Sequence, residues 1–215
     1  MNNLVFMSDI CNTSHGFEVM TEAVNSNSTW KSLKVRGVFQ RADSKNANGR
    51  VYPYQVLQQA LAEANECLTE RRMFGEADHP SDGSPTVLLK NVSHVVTKLN
   101  FSGKDLLGEA VIFDDPGPAG TPSGRLLGAL IKNDCTVGIS SRGLGSLSKG
   151  YSNGDIVEAY KLITFDFVSD PSTQKAFVQA VNESKNYSRS IQQALEEERF
   201  LEQFKENIRA ILLKK

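Results

Sequence analysis

Residues 137 to 146 read "VGISSRGLGS" and residues 75 to 83 read "GEADHPSDG". The first stretch sets two adjacent hydroxyls, Ser140 and Ser141, before Arg142 and Gly143; the second carries His79 in a polar, Pro-containing segment. A serine becomes a nucleophile only when a base within hydrogen-bond reach takes its proton and preorganised donors meet the oxyanion. Histidine is the side chain whose ordinary pKa suits it as that base near neutral pH. Arg142 would add positive charge where negative charge develops, and Gly143 would let the backbone turn and present N–H groups. Acyl transfer is therefore the chemistry on offer. Ser and Gly also dominate ordinary turns, and residue chemistry alone gives that plainer reading the greater weight.

Other candidates are weaker. His94 lies in the apolar run "VSHVV", where strand alternation sets it beside Val92 and Val96; a satisfied buried histidine is the first reading and a base the second. His15 ranks third. Cys135, in "NDCTVG", has no neighbour in sequence to lower its pKa and reads as structural. Asp78, His79 and Asp82 stand without the ligand spacing of a zinc site, and neither HExxH nor CxxC occurs. "SRGLGSLSKG" lacks the GxxxxGK[ST] of a phosphate loop, and its glycines do not open a helix as a dinucleotide turn requires.

These residues must be positioned by a chain rich in strand patterns. "LKVRGVFQ" (33 to 40) alternates like a half-buried strand, and "NANGR" supplies an Asn-Gly turn. Pro53 opens a helical segment in which Val56, Leu57, Ala60, Leu61, Ala64 and Leu68 share a face. "NVSHVVTKLNF" and "LLGEAVIF", separated by "SGKD", predict a hairpin. "DDPGPAGTPSG" excludes a regular element, "RLLGALIKN" predicts a short helix, and "DIVEAYKLITFDFV" (155 to 168) predicts a long strand. The first thirty residues give no clear element. Beyond "KNYSRS", read as a hinge, Ile191, Leu195, Leu201, Phe204, Ile208 and Ile211 form one apolar stripe of a C-terminal amphipathic helix.

The bulk properties narrow the field. Lys plus Arg (24) almost cancels Asp plus Glu (25) in 215 residues, so no strong field favours nucleic acid or an anionic membrane. Three cysteines without paired spacing argue against a disulfide framework and fit a reducing compartment. No apolar run is long enough to cross a bilayer, and the N-terminus lacks a signal-peptide pattern. A cytoplasmic protein without nucleic-acid or membrane partners is expected.

The blocks "GRVYP", "GEADHP", "VSHVV", "LLGEAVI", "TPSGRLL", "VGISSRGLGS" and "ITFDFVSDPS", in this order from about Leu33 to Ser172, resemble the prohead core proteases of tailed phages, the T-even type especially. The resemblance implies an α+β fold like that of the herpesvirus assemblins, with a mainly antiparallel, barrel-like β core and surrounding helices. It implies a protease domain over residues 1–184, and a hinge and helical tail over 185–215 that is removable or docks on scaffold.

It further implies a serine endopeptidase that cleaves scaffold and capsid proteins inside the procapsid, in the host cytoplasm. The enzyme would be made as a precursor, would self-associate, and would need no metal or organic cofactor. Carried over by residue, His79 is the base, Ser140 the nucleophile and Ser141 the reserve nucleophile. Asp166 in "TFDFV" is the candidate third member, with His94 and Asp43 as alternatives; Ser141, Arg142 and Gly143 line the oxyanion and substrate side. The competing readings are a non-catalytic capsid-core or tube-like assembly protein on the same scaffold, and a generic β-rich binding domain.

Overall fold

The computed structural model describes residues 5–10, 18–23, 31–149 and 154–169. The expected C-terminal helix and hinge, like His15 and Cys11, lie outside the described residues. The described strands are β1 (Val5–Ile10), β2 (Glu18–Ala23), β3 (Lys31–Arg41), β4 (Arg50–Val51), β5 (Phe74–Glu76), β6 (Val92–Ser102), β7 (Asp105–Ile112), β8 (Gly138–Ser148) and β9 (Asp155–Val168). Two helices, α1 (Tyr54–Thr69) and α2 (Pro122–Lys132), are interleaved among them.

The strands form two sheets, ordered β1-β8-β9-β4 and β2-β3-β7-β6-β5. Among the described residues, the named strands pair antiparallel except for the two-residue parallel pair of β4 with β9, and the isolated Ala77–Phe167 bridge is parallel too. The core is mainly β, as expected, but the sheets do not close into a barrel. Closure needs edge strands long enough to pair with each other, and the edges here include the two-residue β4 and the three-residue β5. Among the described residues, a single bridge between Ala77 and Phe167 links the chain leaving β5 to β9.

Local sequence explains the elements that carry the site. β7 alternates strictly between half-buried and buried residues, with Leu106, Gly108, Ala110 and Ile112 inward, and it joins β6 through the expected tight turn at Gly103 and Lys104. α1 buries Leu57, Ala60, Ala64 and Leu68, while Val56 and Leu61 pack at the margin of the core. α2 begins at Pro122, earlier than "RLLGALIKN" implies. Thr121 accepts a hydrogen bond from the Gly124 N–H (3.0 Å), and Pro122 occupies the first turn, where its missing donor costs nothing.

The core fills the space between the sheets and under α1. Phe39 of β3 meets Phe165 of β9 edge-on, with centroids 5.1 Å apart, and Tyr52 meets Tyr160 at 5.0 Å. This packing seats β9 against the core, which matters because β8 and β9 carry half of the buried polar side chains among the described residues, Ser140, Arg142 and Asp166 included.

Candidate active site

The stretch "SSRGLG", expected to be a donor-rich turn, is the interior of strand β8. Its backbone is paired on both sides: Ser141 faces Asp9 and Phe165, Arg142 faces Ser8 and Thr164, and Gly143 faces Met7 and Leu162. Alternation then sorts the side chains. Ser140 and Arg142 share one face of β8, while Ser141 belongs to the other. Ser140 pairs directly with Asp166 of β9, so the register alone brings a hydroxyl and a carboxylate to neighbouring positions on one face.

His79 reaches the same face from the loop after β5. That loop is docked where β9 has lost its β4 neighbour: the Asp78 N–H donates to the Phe167 carbonyl (2.6 Å), and the Ser169 N–H donates to Asp78 Oδ1 (3.1 Å). Asp78 takes φ 67°, a left-handed conformation that Asp tolerates better than most residues and that turns the chain immediately before His79.

The result is a continuous line of hydrogen bonds. Nδ1 of His79 donates to Asp166 Oδ2 at 2.7 Å, because a carboxylate can only accept. This fixes the tautomer, leaving Nε2 to accept from the Ser140 hydroxyl at 2.6 Å. The imidazole is partly exposed, whereas Ser140 and Asp166 are buried.

Asp166 is held from its other side as well. Its Oδ1 accepts from Arg142 Nη2 at 2.7 Å and from the Glu76 N–H at 2.9 Å. Burial alone would favour the protonated carboxyl, but the His79 hydrogen bond, the Arg142 charge and the Glu76 N–H outweigh it, so Asp166 stays below the usual carboxylate range. Arg142, expected beside the oxyanion, is wholly buried behind the carboxylate. Its Nη1 donates to the Thr86 carbonyl (3.2 Å), and its Nη2 lies 3.4 Å from Glu76 Oε2.

The alternative third members sit elsewhere. His94 is buried, donating from Nε2 to the Phe165 carbonyl (2.9 Å) and accepting at Nδ1 from Ser93 Oγ (2.9 Å). Its pKa is pushed down to about 4, chiefly by burial, so it is neutral near pH 7. Asp43 accepts from the Tyr54 N–H at the start of α1 and lies 3.4 Å from Lys104 Nζ. No group of His, Cys, Asp and Glu suited to a metal ion occurs among the described residues.

The prohead core protein serine protease family model matches residues 12–186. The chain belongs to this family. It is a protease, and the reading as a non-catalytic assembly subunit is set aside. It is similar to the prohead core protein protease of Enterobacteria phage T4, with 33% identity over 150 residues, 68% of each chain. It is also similar to the solved structure of the bacteriophage T4 capsid assembly protease, with a TM-score of 0.69 and 25% identity over 79% of this chain and 100% of that one. The protease thus shares the mainly β fold of that structure.

Sequence reasoning passed over Glu76 and Thr86. Glu76 stands in "GEADHP", three residues before His79. Its burial was signalled only by the apolar "MF" run leading into it, and a short edge strand leaves little periodicity to read. Gly75 is a further missed residue: a Cβ there would lie 2.2 Å from both His94 Nε2 and the Phe165 carbonyl. Only glycine lets β5 approach β9 closely enough to deliver the loop.

Proposed function

We propose that the protease cleaves peptide bonds by acyl transfer, with Ser140 as nucleophile, His79 as general base and Asp166 as the carboxylate that orients and stabilises the imidazolium. The observation carrying this reading is the unbroken Ser140–His79–Asp166 line, with bonds of 2.6 and 2.7 Å. His79 takes the hydroxyl proton as Ser140 Oγ bonds to the substrate carbonyl carbon. The protonated ring then gives that proton to the leaving amine, and water releases the acyl group by the same route in reverse. The buried side chain of Arg142 has no part in binding the oxyanion in this reading. Because Ser140 is covered while the imidazole is partly open, the substrate enters from the imidazole side and the surface over Ser140 must open.

In this reading the substrates are the scaffold and capsid proteins of the prohead, cut inside the procapsid by an enzyme that self-associates; membership of the prohead core protease family supports the substrate class. Segment 185–215 is removed or docks on scaffold. The test is Ser140→Ala in the full chain: scaffold cleavage and labelling by a fluorophosphonate both disappear, with an unchanged circular dichroism spectrum. Cleavage that persists in this variant would refute the assignment.

A further inference from the structure

Ser140, His79 and Asp166 account for proton transfer, yet two engaged charges lie directly behind them. Arg142 Nη2 binds Asp166 Oδ1 at 2.7 Å and lies 3.4 Å from Glu76 Oε2, while its Nη1 reaches the Thr86 carbonyl at 3.2 Å. Glu76 completes the ring: its N–H donates to Asp166 Oδ1 (2.9 Å), and its Oε1 accepts from the Leu88 N–H (2.5 Å). Thr86 and Leu88 close the loop that carries His79, whose opening end is held by Asp78 on Phe167. Both ends of the loop are therefore fastened to the strands that bear Ser140 and Asp166.

A buried ion pair is costly to desolvate and is a poor source of stability; a fork that fixes geometry is a better reason for this one. The charges also bear on the base. Arg142 from β8, Glu76 from β5 and Asp166 from β9 carry one excess negative charge in a space closed to water, and that excess is neutralised when His79 becomes imidazolium. The remaining nearby groups contribute little: His94 from β6 is neutral near pH 7, the Asp78 carboxylate is turned to the Ser169 N–H, and Asp82 is exposed.

We propose that Glu76 and Arg142 are positioning residues of the protease: together they clamp the His79 loop, and they balance the buried charge against which the imidazolium forms. The proposal rests on the Ser140–His79–Asp166 reading. In it Arg142 acts through Asp166 and the loop, and Glu76 acts through Arg142 and Leu88.

The experiment follows kcat, KM and the pH dependence of kcat/KM for the full chain and its variants, with amide hydrogen exchange over residues 84–91 measured alongside. Glu76→Gln keeps an acceptor for Leu88 but removes a negative charge, so the imidazolium is less favoured and the acid limb moves down by roughly half a pH unit or more. Arg142→Gln removes the positive charge and moves the limb up. Arg142→Lys keeps the charge but not the fork; its limb stays near that of the wild type, while the loop amides exchange faster and kcat falls by about 10²-fold with KM little changed.

Limbs that do not move, or that move in the same direction for both charge-removing variants, overturn the proposal, as does wild-type exchange in Arg142→Lys. Should the Arg142 variants fail to fold, Glu76→Gln decides by itself through its limb. Ser140→Ala separates the two levels: if it still cleaves, the triad falls and the clamp with it; if it is inactive and the limbs stay fixed, the clamp alone falls.

Discussion

Replacing Asp166 by Asn puts the proposed mechanism under its strictest test, because the structure dictates how the new amide must sit. In the wild type, Oδ1 receives two donors, Arg142 Nη2 and the Glu76 N–H, and Oδ2 receives one, His79 Nδ1. The amide that replaces this carboxylate has one acceptor and one donor end. Turning its NH2 toward Arg142 and Glu76 would set donors against donors, so the oxygen must stay there and the NH2 must face His79. It then donates to Nδ1, which forces the ring proton onto Nε2, where it blocks acceptance of the Ser140 proton. A wrong tautomer of this kind in a Ser-His-Asp site costs about 10⁴-fold in kcat, equivalent to about 5 kcal/mol of transition-state stabilisation.

Losing the carboxylate also leaves Arg142 with Glu76 as its one charged neighbour in this cluster. Breaking a buried pair in this way destabilises by about 3–5 kcal/mol, and the Glu76 carboxylate at 3.4 Å offsets part of that. The assay is single-turnover cleavage of a purified scaffold substrate, with fluorophosphonate labelling of Ser140 and a urea melt in parallel. A folded Asp166→Asn enzyme within tenfold of wild-type kcat would refute the role of this carboxylate in holding the tautomer.

His94 is held neutral in the fold, with its pKa pushed down to about 4 from an ordinary 6.5. The unfolded chain therefore binds more protons between those values, and stability is lost as pH falls through that window, by about 3 kcal/mol in all. Urea midpoints of a folded His94→Gln variant are expected to lose most of this dependence, and an unchanged slope would contradict it. Asp166, with its pKa depressed, acts in a lower window: its contribution is present above the ordinary carboxylate value and is lost as pH falls below it. Gly75→Ala drives a methyl into His94 and the Phe165 carbonyl. It is expected to destabilise by about 1–3 kcal/mol and to lower kcat more than KM through the displaced loop, and wild-type kinetics would refute the close approach. A chain ending at residue 184 is expected to keep fluorophosphonate labelling, and mass spectrometry of the active enzyme is expected to show loss of the tail; an intact tail beside fully processed substrate would exclude removal as a requirement.

Much of the scaffold was legible because its elements bury one face each. The alternation of β7, the spacing of Leu57, Ala60, Ala64 and Leu68 in α1, and the β6–β7 turn all follow from local pattern. The strand nature of "SSRGLG" was not legible. Its serines and glycines carry turn propensity, and β8 is a strand because β1 and β9 pair with it on both sides, an override of local preference by tertiary pairing. The same limit hid the open edges of the two sheets, since closure depends on how far the short end strands β4 and β5 extend rather than on any one strand's pattern.

Residue types offered Ser140 and His79 as one candidate pair beside a plainer turn reading, and the order of the blocks, through the resemblance to the prohead proteases, singled them out as nucleophile and base, because chemistry and sequence order are properties of the chain itself. Which carboxylate meets the imidazole, and that Arg142 stands behind that carboxylate, were decided only in three dimensions. Asp166 lies opposite Ser140 through strand register, and His79 arrives from 61 positions away through the docking of one loop. A distance of a few ångströms between groups so remote in sequence is set by the packing of whole sheets, which no local pattern records.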